Sequence, residues 1–181
     1  VEYAAVRNAL YRQGLDLEIL ARFEHGLQCF HQWQRQLFAE REGRSGKGLF
    51  AIDALYPQDL YSMGQYIQGG RFHLVETFLA VEDLDDTALS LPVDAKAGIR
   101  CGEWERLSCF DAHRTYCQDI LEAHTEMGIP CMELLLPTLN EYTLGQLFTF
   151  FMVSAVVSAR LMGLNPFERQ SSQLGRAPMG K

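Results

Sequence analysis

Hydrophobic residues recur along the chain with two periods, one typical of helices and one typical of strands. Residues 3–12 have helical spacing, whereas the segment 15–23 partly alternates as a strand does. In "DLYSMGQYIQGG", Leu60, Met63 and Ile67 mark one helical face. The predicted elements are helix 3–12, strand 15–23, helix 26–40, strand 49–53, a helix through 60–67, strand 72–81, helix 109–128, strand 129–137 and helix 138–161.

The stretch "FHLVETFLAV" (72–81) is apolar on both of its alternating faces. A strand covered on both sides is typical of the middle of a parallel sheet. The apolar segment "IPCMELLLP" (129–137) predicts a second buried strand. Strands that alternate with helices predict an α/β fold, a three-layer sandwich with a mostly parallel sheet flanked by helices. The acidic segment 82–100 is predicted to be a surface loop.

Sites in such sheets lie beyond the carboxyl ends of the strands. The loops after residues 50–53 and after Leu136 are therefore of interest. Thr138 and Glu141 have the spacing of a capping box, which predicts that the last helix begins there. The apolar run 147–159 is shorter than the roughly 20 residues of a membrane span. It is interpreted as a buried helix, and the segment 144–161 could serve either the core or an interface.

Composition and charge narrow the classes of function. The 181 residues suit one domain with a substantial core, and hydrophobic and charged residues are in ordinary globular proportion. A formal net charge of -7 without a basic run argues against nucleic acid and anionic membranes as partners. Five cysteines without a C-x-x-C pair favour reduced thiols in a cytoplasmic protein over a disulfide framework.

Local motifs give only weak signals of chemistry. The loop "GRSGKG" (43–48) lacks the spacing of a phosphate-binding P-loop, so the default reading is a flexible loop with one cation, Lys47. The histidines form neither an H-x-x-x-H nor an H-E-x-x-H pair, so a zinc site has little support. Glu40 stands out by position only, because it ends an amphipathic helix just before a glycine-rich loop.

Several segments together resemble the C-terminal part of bacterial glucose-6-phosphate isomerase. They occur in family order as "YAAVRNALYRQG" (3–14), "QLFAEREGRSGKGLF" (36–50), "DLYSMGQYIQGGRFHLVETF" (59–78), "EAHTEMGIP" (122–130), "LNEYTLGQLFTFF" (139–151) and "MGLNPF" (162–167). The resemblance implies a helix from an inter-domain linkage at 1–14, the second of two sugar-isomerase (SIS) domains at 15–167, and a polar tail at 168–181. It also implies that the first SIS domain, whose Ser/Thr loop grips the sugar phosphate, is absent here.

The resemblance implies an activity, the interconversion of glucose 6-phosphate and fructose 6-phosphate through an enediol. The family's catalytic glutamate matches Glu40, in "LFAEREGRSGKG". Its ring-opening histidine, which reaches into the neighbouring subunit's site, matches Tyr61. A phenol exchanges protons poorly near neutral pH, where an imidazole does so readily. Its lysine matches Arg176, which keeps the charge but does not readily give up a proton.

Two functions therefore stay open. One is the C-terminal half of a dimeric sugar-phosphate isomerase that needs no metal or organic cofactor, in which Glu40 is the base. The other is a non-catalytic SIS module that binds a sugar phosphate or a partner subunit. Tyr61 and the altered segment "NPFERQSSQLGR" around Arg176 favour the second function, whereas Glu40 favours the first.

Overall fold

A computed structural model describes residues 1–70, 73–83 and 109–168. Helices and strands alternate along the chain, as the hydrophobic pattern predicts. The helices are α1 (Glu2–Arg12), α2 (Gln28–Glu42, preceded by a 3-10 turn at His25–Leu27), α3 (Leu60–Gly69), α4 (Cys109–Glu126) and α5 (Glu141–Leu161). The strands are β1 (Leu17–Arg22), β2 (Phe50–Leu55), β3 (Leu74–Asp83) and β4 (Cys131–Thr138).

The four strands form one parallel sheet in the order β2-β1-β3-β4. Leu17 of β1 lies opposite Phe50 of β2 on one side and Leu74 of β3 on the other, and Glu76 of β3 lies opposite Cys131 of β4. Parallel neighbours require crossover connections, which the intervening helices supply. The predicted α/β three-layer sandwich, with a parallel sheet flanked by helices, is confirmed.

The two faces of the sheet bury separate cores. Phe30 and Phe38 of α2 pack with Phe151 of α5, and with α1, on one face. Ile67 of α3 and Ile120 of α4 pack on the other face. Successive side chains of a strand point to opposite faces, so each central strand contributes to both cores, as the two-sided apolar pattern of β3 predicts.

Two predictions about strands need correction. The strand 129–137 was expected to be buried, but β4 is an edge strand in the described part of the chain and its Leu135 is 52% exposed. The residues 82 and 83 of the predicted loop belong to β3, and the rest of that loop lies outside the described residues. An apolar run cannot by itself show whether a strand has one neighbour or two.

The start of α5 also differs from its prediction. Thr138 is the last residue of β4, and the N-cap is Asn140, whose side chain accepts a hydrogen bond from the Thr143 amide at 2.9 Å. The hydroxyl of Thr138 instead accepts a hydrogen bond from the Asn140 side-chain amide at 2.8 Å. The predicted capping box is therefore wrong, because tertiary pairing keeps Thr138 in the sheet.

Helix α5 buries only one of its faces. Phe151 and Ala155 are buried, whereas Val153 is 50% exposed, so the run 147–159 is not enclosed as expected. Among the described helices, α5 is the one with the length and apolar composition to cross a membrane. A helix packed in a protein core passes the same test, and the buried face of α5 packs against α1 and α2.

A fully buried arginine connects two helices to the sheet. The Nε of Arg7 in α1 donates to Glu18 of β1 at 2.7 Å, and its Nη1 donates to both carboxylate oxygens of Glu42 in α2, at 2.7 and 2.8 Å. Its guanidinium also lies over the Phe38 ring, 4.2 Å from the centroid. Burial by itself lowers the pKa of Arg7, but the carboxylates of Glu18 and Glu42 raise that pKa above its ordinary value. The guanidinium of Arg7 thus stays charged inside the protein.

The opposite face of the sheet contains a second buried carboxylate. Glu76 of β3 accepts a hydrogen bond from the Tyr56 hydroxyl at 2.5 Å, and its other oxygen lies 2.6 Å from Nδ1 of His124 in α4. Burial, followed by the charge of Glu76, raises the pKa of the Tyr56 hydroxyl. This cluster attaches α4 to the sheet as Arg7 attaches α1 and α2.

The Arg7 cluster generates a stability prediction. The substitution Arg7→Ala should lower the free energy of unfolding by about 3–5 kcal/mol, because it leaves two carboxylates buried without a counter-ion. Urea unfolding followed by circular dichroism measures this change. The matched control is Arg160→Ala on the exposed side of α5, which should change stability by less than about 0.5 kcal/mol. Equal losses in the two variants would contradict the role assigned to Arg7.

Candidate active site at the end of α2

Glu40 lies in the last turn of α2 with its side chain exposed. Its Oε1 accepts a hydrogen bond from the Nε2 of Gln36, one turn earlier, at 2.8 Å. The amide orients the carboxylate and leaves the other oxygen, Oε2, without a partner in the described part of the chain. Such a carboxylate is able to accept a proton from a bound molecule, which is the property that its position in the sequence indicated.

Three cations that follow Glu40 fix the backbone of this helix end. Arg44 Nη2 donates to the Glu40 carbonyl at 2.9 Å, Arg41 Nη1 donates to the Pro166 carbonyl at 2.7 Å, and Lys47 Nζ donates to the Met162 carbonyl at 2.7 Å. Cations at a helix C-terminus stabilise the carbonyl groups that have no partner within the helix. The end of α2 and the segment after α5 are therefore held together.

Glu42 fixes the same helix end from the side that faces the protein core. Its carboxylate binds Arg7, and Gly48 packs against its backbone. Gly48 has a φ of +101°, and a Cβ at this position would lie 3.1 Å from the Glu42 carbonyl carbon and oxygen. The glycine is required here for its conformation and for its close approach. The loop that the sequence suggested to be flexible is thus tied to the protein core.

A groove of about 460 Å³ runs beside this helix end. It lies between the exposed side of α2 and the start of β2. Its lining residues are Gln32, Arg35, Gln36, Ala39, Gly43, Lys47, Gly48, Leu49, Phe50 and Ala51. Sequence reasoning missed Gln36 and this groove. The available signal was the four-residue spacing of Gln32, Gln36 and Glu40, which places all three on one face of a helix.

The described chain does not bring Tyr61 near Glu40. Tyr61 lies in the first turn of α3, beyond the carboxyl end of β2, and is 93% exposed. Glu40 lies at the amino end of β2, because α2 runs antiparallel to the strands that it connects. The six residues of β2 separate the two edges of the sheet by about 17 Å. Of these two residues, Tyr61 lies at the carboxyl edge of the sheet, where sites were expected, and Glu40 lies at the amino edge.

Arg176 lies outside the described residues. The described chain ends close to Glu40. Arg44 donates to the Glu40 carbonyl through Nη2 and to the carbonyl of Glu168 through Nη1, at 3.0 Å.

A metal site has no support in the described ranges 1–70, 73–83 and 109–168. They contain no group of three histidine, cysteine or acidic side chains that could serve as ligands.

Comparisons with known proteins support the resemblance that the motifs indicate. No family model matches the chain. The chain is 39% identical over 168 residues to a glucose-6-phosphate isomerase from Leptospira biflexa, and 40% identical over 168 residues to one from Symbiobacterium thermophilum. These matches cover 92% and 93% of this chain but 37% of each relative.

Solved structures show the same fold. A hypothetical protein from Thermus thermophilus superposes with a TM-score of 0.86 at 20% identity, over 96% of this chain and 42% of that one. A glucose-6-phosphate isomerase from Chlamydia trachomatis superposes with a TM-score of 0.73 at 13% identity, over 95% of this chain and 36% of that one. The resemblance to glucose-6-phosphate isomerase is confirmed, for a chain that spans about 37% of its curated relatives' length.

Two glycines of the loop 43–48 test how this helix end is held. The substitution Gly48→Ala should lower the free energy of unfolding by about 2–3 kcal/mol, since it adds a clash with Glu42 to an unfavourable φ. The matched control Gly46→Ala also has a positive φ, +69°, but its Cβ would meet no atom within 4 Å, so it should cost about 1 kcal/mol. Thermal unfolding measures both, and a Gly46 variant at least as unstable as the Gly48 variant would count against the packing argument.

Proposed function

We infer that this chain, a relative of one part of glucose-6-phosphate isomerase, supplies the proton-transferring carboxylate of an isomerase for glucose 6-phosphate and fructose 6-phosphate. The observation that carries this proposal is the position of Glu40. Its backbone is fixed by Arg44 and by the buried neighbour Glu42, whereas its carboxylate faces outward beside a groove. Catalytic groups need such support, because small displacements of a reacting group lower rates strongly.

The proposed chemistry requires a single carboxylate for the proton transfer. Glu40 would remove the proton from C2 of the open-chain aldose, which gives an enediolate, and return it to C1. The proton of the C2 hydroxyl moves to the oxygen on C1 in the same conversion, which gives the ketose. The proton leaves and rejoins the same substrate, so no oxidant or reductant is consumed. Gln36 donates to one oxygen of Glu40, and the other oxygen is left to accept the proton.

The rest of the site would come from outside the described part of this chain. We place the first 14 residues in an inter-domain linkage, residues 15–167 in a second SIS domain, and residues 168–181 in a polar tail. The eight residues that follow Glu168, up to Arg176, span at most about 29 Å. That reach, with Glu168 already bound by Arg44, is compatible with Arg176 acting beside Glu40.

Tyr61 would act in the site of a neighbouring copy. The distance across β2 separates it from Glu40 of its own chain, so a shared site needs a homodimer. A separate N-terminal SIS domain would supply the grip on the sugar phosphate. Since a phenol exchanges protons poorly near neutral pH, ring opening should be slower here than with a histidine.

A second function also has a specific observation in its favour. The resemblance matches Tyr61 to the family's acid–base histidine. Its side chain is almost fully exposed, and its hydroxyl forms no hydrogen bond with any described residue. A module that binds a sugar phosphate without turnover would have no need of an acid–base group there. Saturable binding of fructose 6-phosphate by an assembly that shows no turnover would support this alternative.

A chimera tests the isomerase function directly. This chain would replace the matching part of the Symbiobacterium thermophilum isomerase, and conversion of fructose 6-phosphate would be followed by a coupled assay. Glu40→Gln should lower kcat by about 10²–10⁴-fold, because an amide cannot accept the proton. The matched control Glu126→Gln, at the exposed end of α4, should leave kcat unchanged. Unchanged turnover in the Glu40 variant would refute the assignment of Glu40.

The same chimera tests Tyr61. The substitution Tyr61→His should raise kcat, because an imidazole exchanges protons more readily than a phenol near neutral pH.

A further inference from the structure

The groove beside α2 has a charge opposite to that of the whole chain. None of its ten lining residues is acidic, and two of them, Arg35 and Lys47, are cations. The chain as a whole has 23 acidic and 16 basic residues and a net charge of -7. The Glu40 carboxylate lies beside the groove and is hydrogen-bonded to Gln36. The two cations that line the groove outnumber this one charge and favour an anionic ligand there.

Arg35 has a donor that nothing in the described structure satisfies. No acidic side chain forms a salt bridge with it in the described ranges, and its Nε is buried without a hydrogen-bond partner. A buried donor of a charged group is unfavourable when it is left unpaired. The guanidinium also presents its N–H groups as a planar fork, a geometry that suits two oxygens of a phosphate.

Other donors line the same groove. Lys47 uses one of its three N–H groups for the Met162 carbonyl, and the other two stay available. The side-chain amides of Gln32 and Gln36 project from the same face of α2 as Arg35. The C-terminal carbonyls of α2 would repel an anion, but Arg44 donates to the carbonyls of Glu40 and Arg41 and so reduces that repulsion.

We propose that this groove binds the phosphate group of a small phosphorylated compound, between Arg35 of α2 and Lys47 of the loop 43–48. The volume of about 460 Å³ is that of a small-molecule site. The two cations come from separate elements, and both line the same groove. The loop is not a P-loop, and the side chains rather than the backbone supply the charge. This site would be additional to the phosphate grip that the proposed function assigns to an N-terminal SIS domain, and it does not depend on proton transfer by Glu40.

The test uses the isolated chain and inorganic phosphate at low ionic strength, with binding measured by isothermal titration calorimetry. Arg35→Gln should raise the Kd at least about tenfold, since it removes a charge-assisted hydrogen bond. The matched control is Arg114→Gln, which changes the charge equally on α4, across the sheet, and should leave the Kd unchanged. Arg35→Lys should bind with an intermediate Kd, and circular dichroism would verify that the variants fold.

Each outcome of the binding test either supports the phosphate site or contradicts it. Competition between fructose 6-phosphate and inorganic phosphate, lost in Arg35→Gln, would support the proposal for an organic phosphate. No saturable phosphate binding, or equal Kd values in the Arg35→Gln and Arg114→Gln variants, would overturn it. Binding involves no turnover, so this result is independent of whether Glu40→Gln abolishes isomerase activity in the chimera.

Discussion

The buried ion cluster of Arg7, Glu18 and Glu42 is the interaction on which the rest of this structure depends. It joins the first helix, the central strand β1 and the end of α2, all without contact with solvent. The cluster extends further, because the Tyr3 hydroxyl and the Thr77 hydroxyl both donate to Glu18. Charges of this kind are costly to bury, and they are tolerated only when each one is paired and hydrogen-bonded. Elements distant in sequence are thereby held in one fixed arrangement.

The same cluster determines which of two nearby carboxylates is exposed to solvent. Glu40 and Glu42 are two residues apart on a helix, which places them about 200° apart around its axis. When Arg7 draws Glu42 into the core, Glu40 must face outward. The exposed carboxylate of Glu40 and the buried carboxylate of Glu42 therefore lie on opposite sides of the helix for a geometric reason. The cations of Arg41, Arg44 and Lys47 then hold the helix end to the segment that follows α5.

The parallel sheet places the two candidate residues, Glu40 and Tyr61, at opposite edges. Each crossover helix starts at the carboxyl edge and returns to the amino edge, so Tyr61 at the start of α3 and Glu40 at the end of α2 lie on opposite sides. A single copy of this fold is unable to unite them. The cationic groove, in contrast, lies on the Glu40 side, where α2, the loop 43–48 and β2 meet.

The sequence by itself determined the alternation of helices and strands, because the period of apolar residues reports directly on each element. The two-sided pattern of β3 was enough to predict a parallel sheet between helical layers. The helical spacing before the glycine-rich loop was enough to place Glu40 near the end of a helix. Tertiary structure decided what depends on neighbours: that β4 lies at an edge, that Thr138 stays in the sheet and Asn140 caps α5, and that Gln36 and Arg35 line a groove. It also decided which of two nearby glutamates is buried, since the partner that distinguishes them, Arg7, lies 35 residues before Glu42 in the chain.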